Sequence, residues 1–287
     1  MIRIGPAGWA YKDWSGIVYP APKPRGFDPL RYWANYFNTV EINTSFYGPI
    51  TAKTAAGWVE KIAHHPHFRF TAKLWQGFTH ERNAGNEDER LVKDGLAPLL
   101  EAGRLGAVLM QFPWSYRNTD ENRASLTRLR ERFPEYPLIL EVRHASWNEP
   151  GILDLLEQLE IGMCNIDQPL FKRSIKPAAV ITGTTGYVRL HGVITSTGSR
   201  KRPLPHERYD YLYPVNELDP WIDRIKAVAQ GSTDTYAISN NHYLGKAAVN
   251  ALEISSILKG QSVPAPPELV THYPVLKEFT TGSPLSK

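Results

Sequence analysis

Leu140-Glu141-Val142-Arg143 is the stretch on which the fold turns. Side chains of a β-strand alternate between its two faces, so Leu140 and Val142 share one face, and Glu141 and Arg143 share the other. One face stays apolar to the end of the segment, while the other turns polar there. Val40-Glu41-Ile42-Asn43 and Val188-Arg189-Leu190-His191 repeat the pattern. Polar endings also close Phe70-Thr71-Ala72-Lys73, Leu109-Met110-Gln111, Asn165-Ile166-Asp167 and Ile238-Ser239-Asn240-Asn241. A parallel barrel produces this arrangement. Its outward face packs on helices, and its inward face meets solvent or ligand only at the C-terminal mouth.

Working outward, eight strands are expected at 2–7, 39–43, 68–73, 105–111, 138–143, 161–166, 187–191 and 235–239. Between them lie segments with apolar residues at helical spacing, such as Leu30, Trp33, Ala34 and Phe37. Asp28-Pro29 is an N-cap followed by proline at the first helical position. Strict strand–helix alternation implies a parallel sheet with helical crossovers. The expected fold is therefore α/β, a single (β/α)8 TIM-type barrel. Its irregular point is the sixth crossover, 168–186, which lacks a helical stripe. No linker divides the chain, so residues 1–287 are read as one domain with a Pro-rich C-terminal tail at 261–287. The loop after the first strand, Gly8-Trp9-Ala10-Tyr11, is not a G-x-G-x-x-G phosphate cradle, which weighs against a dinucleotide fold.

Composition bounds the function. A chain of 287 residues with 42% hydrophobic content fits a barrel, which typically takes about 250 residues. The net charge of +4 does not by itself argue for nucleic acid or membrane. The lone Cys164 sits in an apolar run and is read as a core residue. No apolar run approaches the roughly 20 residues needed to span a bilayer. No basic start followed by a long apolar stretch is visible, so a cytoplasmic location is expected.

Several separated motifs resemble one family in order along the chain. They are Gly8-Trp9 with Tyr11 and Trp14, Val40-Glu41-Ile42-Asn43 with Ser45-Phe46-Tyr47, Phe70-Thr71-Ala72-Lys73, and Gln111-Phe112-Pro113. Glu141-Val142-Arg143-His144 with Trp147, Tyr187-Val188-Arg189-Leu190-His191-Gly192 and Asn240-Asn241-His242 complete the set. The chain resembles the domain-of-unknown-function family 72, the YecE-like proteins, nearly end to end. The resemblance implies a TIM-type barrel with its site at the C-terminal mouth. It carries no substrate and no catalytic assignment.

The expected mouth residues suggest chemistry. Glu41 and Glu141 are candidates for general acid and base if burial and neighbouring charge separate their pKa values. His191 is a candidate proton shuttle. Lys73 is a fourth candidate catalytic group and could form a Schiff base, which requires a lowered pKa that nearby carboxylates would oppose. Arg143 and Arg189 would hold an anionic substrate. Trp9, Tyr11, Asn43, Tyr47, Gln111, Trp147, Asn165, Asp167, Asn240 and Asn241 complete the candidate binding residues. A lyase, isomerase or hydrolase acting on an anionic or carbohydrate-like small molecule fits this mixture. The bland alternative is a salt-bridge network, although stability alone does not require so many polar groups at one end of a barrel. No cofactor is evident. A divalent metal on Glu41, Glu141, Asp167 and His191 is disfavoured by the three cations around it and by the lack of H-x-H or H-E-x-x-H spacing. The third class is a nucleic-acid or other macromolecule binding module using a basic face around Arg200, Lys201 and Arg202.

Overall fold

The computed structural model describes residues 1–192 and 210–282. Arg200, Lys201 and Arg202 lie outside the described residues. Eight parallel strands form one sheet: β1 (Ile2–Pro6), β2 (Thr39–Ile42), β3 (Arg69–Lys73), β4 (Leu105–Gln111), β5 (Leu138–Glu141), β6 (Gly162–Asp167), β7 (Thr185–Leu190) and β8 (Asp234–Ser239). Their spatial order, β1-β8-β7-β6-β5-β4-β3-β2, rolls the sheet into a nearly closed TIM-type barrel. The strands are short because only their central residues pair. Asn43 and Arg143, expected at strand ends, lie just past them.

The seam between β1 and β2 has no continuous ladder. Asn38 closes its lower end: its Oδ1 accepts from Ile4 N at 3.0 Å, and its Nδ2 donates to Ile2 O at 3.4 Å. At the upper end Gly8 N donates to Glu41 O at 2.9 Å. Gly8 has φ of +81°, which L side chains rarely adopt. That turn brings the Tyr11 hydroxyl back to Ala7 O at 2.6 Å.

Helices α1 (Pro29–Ala34), α2 (Ala52–Lys61), α3 (Gln76–Thr79), α4 (Asn86–Glu101), α5 (Asp120–Arg132), α6 (Ile152–Gln158), α7 (Val215–Gln230) and α8 (Lys246–Lys259) surround the sheet. The Asp28 carboxylate caps α1 by accepting from Leu30 N and Arg31 N. No helix crosses between β6 and β7. An extended segment takes its place, stitched to β6 by Asn165, whose amide bonds both the N–H and the carbonyl of Val180. Thr182 Oγ1 adds a bond to Ile161 O at 2.8 Å. Where a helix would otherwise pack, a cleft of about 360 Å³ remains, with Trp147, Leu153, Met163 and Ile175 among its walls.

The segment after Gly260 is folded against the barrel. It forms α9 (Pro267–His272) and a short strand pair, β9 (Val263–Pro264) with β10 (Thr280–Thr281). Leu269 and Leu276 are fully buried there, which explains why α8 is apolar on most of its circumference. No helix among the described residues is long and apolar enough to cross a membrane.

Inside the barrel, β4 slips register between Phe70 and Thr71 of β3, and Gly106 sits at the slip. A β-carbon on Gly106 would lie 1.9 Å from the Tyr236 hydroxyl, so this glycine makes room for a tyrosine filling the barrel interior.

Candidate active site at the barrel mouth

Register decides which polar residues point inward. Residues paired in a parallel ladder share a face. Glu41 pairs with Thr71, Gln111 with Glu141, and Arg189 with Ile238 and Ile166. Arg189 is fully buried and joins two strands across the barrel: its Nη2 donates to Glu41 Oε1 at 2.7 Å and its Nη1 to Glu141 Oε2 at 2.5 Å. Gln111 Oε1 accepts from the same Nη1 at 3.2 Å. The Tyr187 hydroxyl sits 2.9 Å from Glu41 Oε2 and 2.8 Å from Thr71 Oγ1. Glu41, Glu141, Arg189 and Tyr187 are all without solvent exposure.

The upper layer is His191, Arg143, Lys73 and Asn240. Asn240 Nδ2 lies 3.1 Å from His191 Nδ1, which makes Nδ1 the acceptor and leaves the ring proton on Nε2. That nitrogen is 3.2 Å from Glu141 Oε1. Arg143 Nη2 donates to the same oxygen at 3.0 Å. Lys73 Nζ stands 3.8 Å from Glu41 Oε1, over the Phe46 ring at 5.5 Å. The Lys73 and Arg143 side chains are 12% and 27% exposed, so these two cations of the cluster reach solvent. Asn43 Nδ2 donates to the Tyr11 hydroxyl at 3.1 Å beside them, and Tyr47 projects from the rim.

The electrostatics follow from burial and from Arg189. Burial pushes the Glu141 carboxyl up, but the charge of Arg189, the interaction with His191 and the charge of Arg143 outweigh it and hold it well below its ordinary value. This direction favours Glu141 as a carboxylate over a proton donor, so it weighs against Glu141 as the general acid of an acid–base pair. Burial, helped by Arg143 and Arg189, drives His191 down to about 3, against the opposing pull of Glu141. His191 is thus a neutral imidazole near pH 7. Lys73 is lowered to about 8, first by burial and then by Arg189. The carboxylates expected to hold it up are already engaged by Arg189.

The structure turns several candidates away from this cluster. Asn165 and Asp167 pair with Val188 and Leu190, on the outer face of β6, while Cys164 and Ile166 point inward. Asp167 instead accepts a bond from the Tyr213 hydroxyl, and burial raises it to about 6. Asn241 also turns outward, donating to Tyr211 O and to Asn250 Oδ1 of α8. Trp147 is buried against Tyr116, its Nε1 donating to Tyr116 O at 2.9 Å, so it anchors two loops instead of lining the mouth. Trp9 packs edge-on to Trp58 of α2, with ring centroids 5.2 Å apart, and also meets Phe70. In each case an available backbone or aromatic partner outside the barrel captures the side chain.

Other residues join the mouth without having been expected. Tyr187 and Thr71 share the inward face with residues already singled out, so strand parity could have found both. His80, at the end of α3, meets Phe46 edge-on and feels Arg143 and Lys73; burial and those charges lower its pKa. His242 stacks on Tyr11 at 4.2 Å. Among the described residues no group of three or more His, Cys, Asp or Glu side chains could hold a metal ion. The four earlier candidates do not converge: Asp167 is on the other side of the sheet, and Arg189 bridges the two glutamates.

Known proteins share this architecture. The chain is 28% identical over 278 residues to UPF0759 protein YunF of Bacillus subtilis (strain 168), covering 90% of this chain and 95% of that protein. A DUF72 family protein from Thermotoga maritima MSB8 superposes with a TM-score of 0.77 at 29% identity, covering 90% of this chain and 99% of that one. A DUF72 family protein from Enterococcus faecalis V583 gives 0.78 at 24% identity, over 90% and 96%. The family model described as "Protein of unknown function DUF72" matches residues 3–271, and the chain belongs to that family.

Proposed function

We propose that the chain is a small-molecule enzyme of the isomerase or lyase type, whose substrate carries an anionic group and enters at the C-terminal mouth of the barrel. The observation that carries this is the charge layout. Two fully buried carboxylates are joined by a fully buried guanidinium, and two further cations stand above them at the open end. Near pH 7, with His191 and His80 neutral, the cluster of described residues holds one positive charge more than its carboxylates balance. Burying ions costs several kcal/mol each unless geometry and hydrogen bonds offset it, and an apolar core is often at least as stable. The barrel concentrates this cost at its mouth: the opposite end buries Arg3, paired with the partly exposed Asp234, but no comparable network among the described residues, and this fits a mouth built to meet a ligand. Arg143 and Lys73 present the unbalanced charge to that ligand.

A glycosidase-like hydrolase fits less well. It needs one protonated and one free carboxyl flanking the substrate, whereas Glu141 is held ionised and both carboxylates are sealed beneath the arginines. Proton transfer beside a carbonyl group suits the layout better. Lys73 is the titrating group that a substrate would touch, and Glu41 stands ready to balance charge on it.

The test is a thermal-shift screen against carboxylates, phosphorylated sugars and neutral sugars. A ligand at about 100 times its Kd should add roughly 2.7 kcal/mol to stability. Anionic compounds should raise Tm, Arg143→Ala should abolish the shift, and NMR in D2O should reveal proton exchange in the compounds that bind. A shift confined to neutral sugars, or one that survives Arg143→Ala, would refute the anion assignment.

A further inference from the structure

We propose that Lys73 acts as a Schiff-base lysine, its Nζ condensing with the carbonyl carbon of an aldehyde or ketone whose anionic group is held by Arg143. This deepens the enzymatic reading above and rests on it. Four observations about Lys73 support it together.

The first is its place. β3 ends at Lys73, whose side chain follows Thr71 on the inward face and opens into the mouth. The second is its lack of hydrogen bonds. Glu41 Oε1 already receives Arg189 Nη2 at 2.7 Å, and Oε2 is 2.9 Å from the Tyr187 hydroxyl. That leaves Lys73 Nζ at 3.8 Å from the carboxylate, beyond hydrogen-bond range. No hydrogen bond from Nζ is made among the described residues. A lysine placed only to neutralise Glu41 would close that gap.

The third observation is shape. The Phe46 ring flanks the amine at 5.5 Å, while the side chain stays 12% exposed. An incoming carbonyl therefore meets the amine on its solvent side with an apolar wall beside it. The fourth is the division of labour among the cations. Arg189 is buried with both terminal nitrogens engaged by the two glutamates, and Arg143 is a guanidinium that is partly open. Lys73 is the cluster's primary amine, so it alone can form a carbon–nitrogen double bond. A pKa near 8 leaves a useful fraction of free amine near neutral pH.

The step balances without an outside oxidant or reductant. The neutral amine attacks the carbonyl carbon, a C–N bond forms, and the π electron pair moves to oxygen. The nitrogen releases a proton as the oxygen takes one up, giving a carbinolamine. A further proton from solvent lets the oxygen leave as water while the nitrogen lone pair closes the C=N bond. The product is a cationic iminium, and Glu41 lies where it balances that charge. The iminium then draws electrons from the neighbouring C–H or C–C bond, the step common to imine-forming isomerases and lyases.

The experiment uses the intact protein with glyoxylate, pyruvate or glycolaldehyde phosphate and sodium cyanoborohydride, followed by mass spectrometry of the whole chain and its peptides. Acetone serves as the probe without an anion. A single reduced adduct is expected on the peptide bearing Lys73, forming on the order of ten times faster than at surface lysines. It should slow in Arg143→Ala and vanish in Lys73→Arg. Peptide mapping of the unaltered chain keeps the test valid if Lys73→Arg does not fold. Adducts spread over surface lysines without enrichment at Lys73 overturn the proposal. If anionic ligands still raise Tm through Arg143 in that case, the anion-binding enzyme stands and only the imine falls. If they do not, both fall.

Discussion

Arg189→Met tests whether the buried ions form one coupled unit. The substitution keeps most of the side-chain volume and removes the guanidinium that bonds Glu41 and Glu141 at 2.7 and 2.5 Å. Leaving a buried charge without its partner costs about 3–5 kcal/mol. Two carboxylates lose a partner here, but they share one guanidinium, so the losses do not simply add, and a total of about 5 kcal/mol follows. Unfolding entropy is roughly 2.1 cal/mol/K per residue near 60 °C, or about 0.6 kcal/mol/K for a chain of this size. The expected fall in Tm at pH 7.5 is therefore about 8 °C, read by calorimetry.

The pH dependence has a definite sign. In the wild type Glu141 sits below its ordinary value, so its pairing stabilises the fold fully above an unfolded pKa of about 4.3 and is lost only as pH falls below that, toward its own lower folded pKa. In the variant burial acts on Glu141 with less opposition and pushes its carboxyl up, so the fold is penalised above that same unfolded pKa. Both effects widen the gap at pH 7.5; by pH 4 the variant's penalty is gone while the wild type's gain fades only below that, so the gap narrows without closing. Replacing all three residues, as Arg189→Met with Glu41→Gln and Glu141→Gln, should recover most of the lost stability while ligand binding stays absent. An Arg189→Met chain melting within about 2 °C of wild type at pH 7.5, roughly 1 kcal/mol, would refute the coupling. So would a deficit equal at pH 4 and pH 7.5.

Three further outcomes are expected. Lys73 binds a proton less readily folded than unfolded, so wild-type stability should rise relative to Lys73→Met as pH passes from about 8 toward 10.5 in denaturant titrations; a constant difference would show an ordinary lysine. The His191 ring resonances should not titrate by NMR between pH 5 and 8, whereas a midpoint near 6.5 would place a proton on it and reverse the assignment of its nitrogens. Asp167, raised to about 6, disfavours the folded state above that pH, so Asp167→Asn should be neutral or stabilising at pH 8, with the advantage gone by pH 4; a large loss at pH 8 would mean that the charge itself is needed.

Much of the barrel was legible because its apolar faces run unbroken and its polar residues come late in each strand. Glu41, Glu141, Arg189 and His191 were placed by parity alone, and register puts them together. Parity failed at Asn165 and Asp167 for a physical reason. Where no helix covers β6, its outer face meets the backbone of an extended segment, and backbone groups need polar partners. The polar residues therefore sit outside, and Cys164 and Ile166 inside. Loop aromatics were opaque for a different reason: Trp9 and Trp147 each had a second aromatic neighbour, distant in sequence, that drew the ring away from the mouth. His80 reaches the site from a four-residue helix in a polar loop, which has no periodicity to read. The sign of the Lys73 shift was hidden because it depends on which cation already holds the carboxylates.

The β1–β2 seam carries a consequence for motion. Seven pairs of neighbouring strands are joined by ladders, and this eighth boundary depends on the Asn38 amide, a bridge from Ala7 to Glu41 and the Gly8–Glu41 bond. This boundary is held by a side-chain amide and a turn rather than by a ladder, so amide hydrogen exchange is expected to be faster at Ile4 and Gly8 than within the laddered strands. Glu41 is thus a latch as well as a charge: its carbonyl holds the seam while its carboxylate faces Arg189 and Lys73. Mechanical looseness and the electrostatics of the pocket meet in one residue.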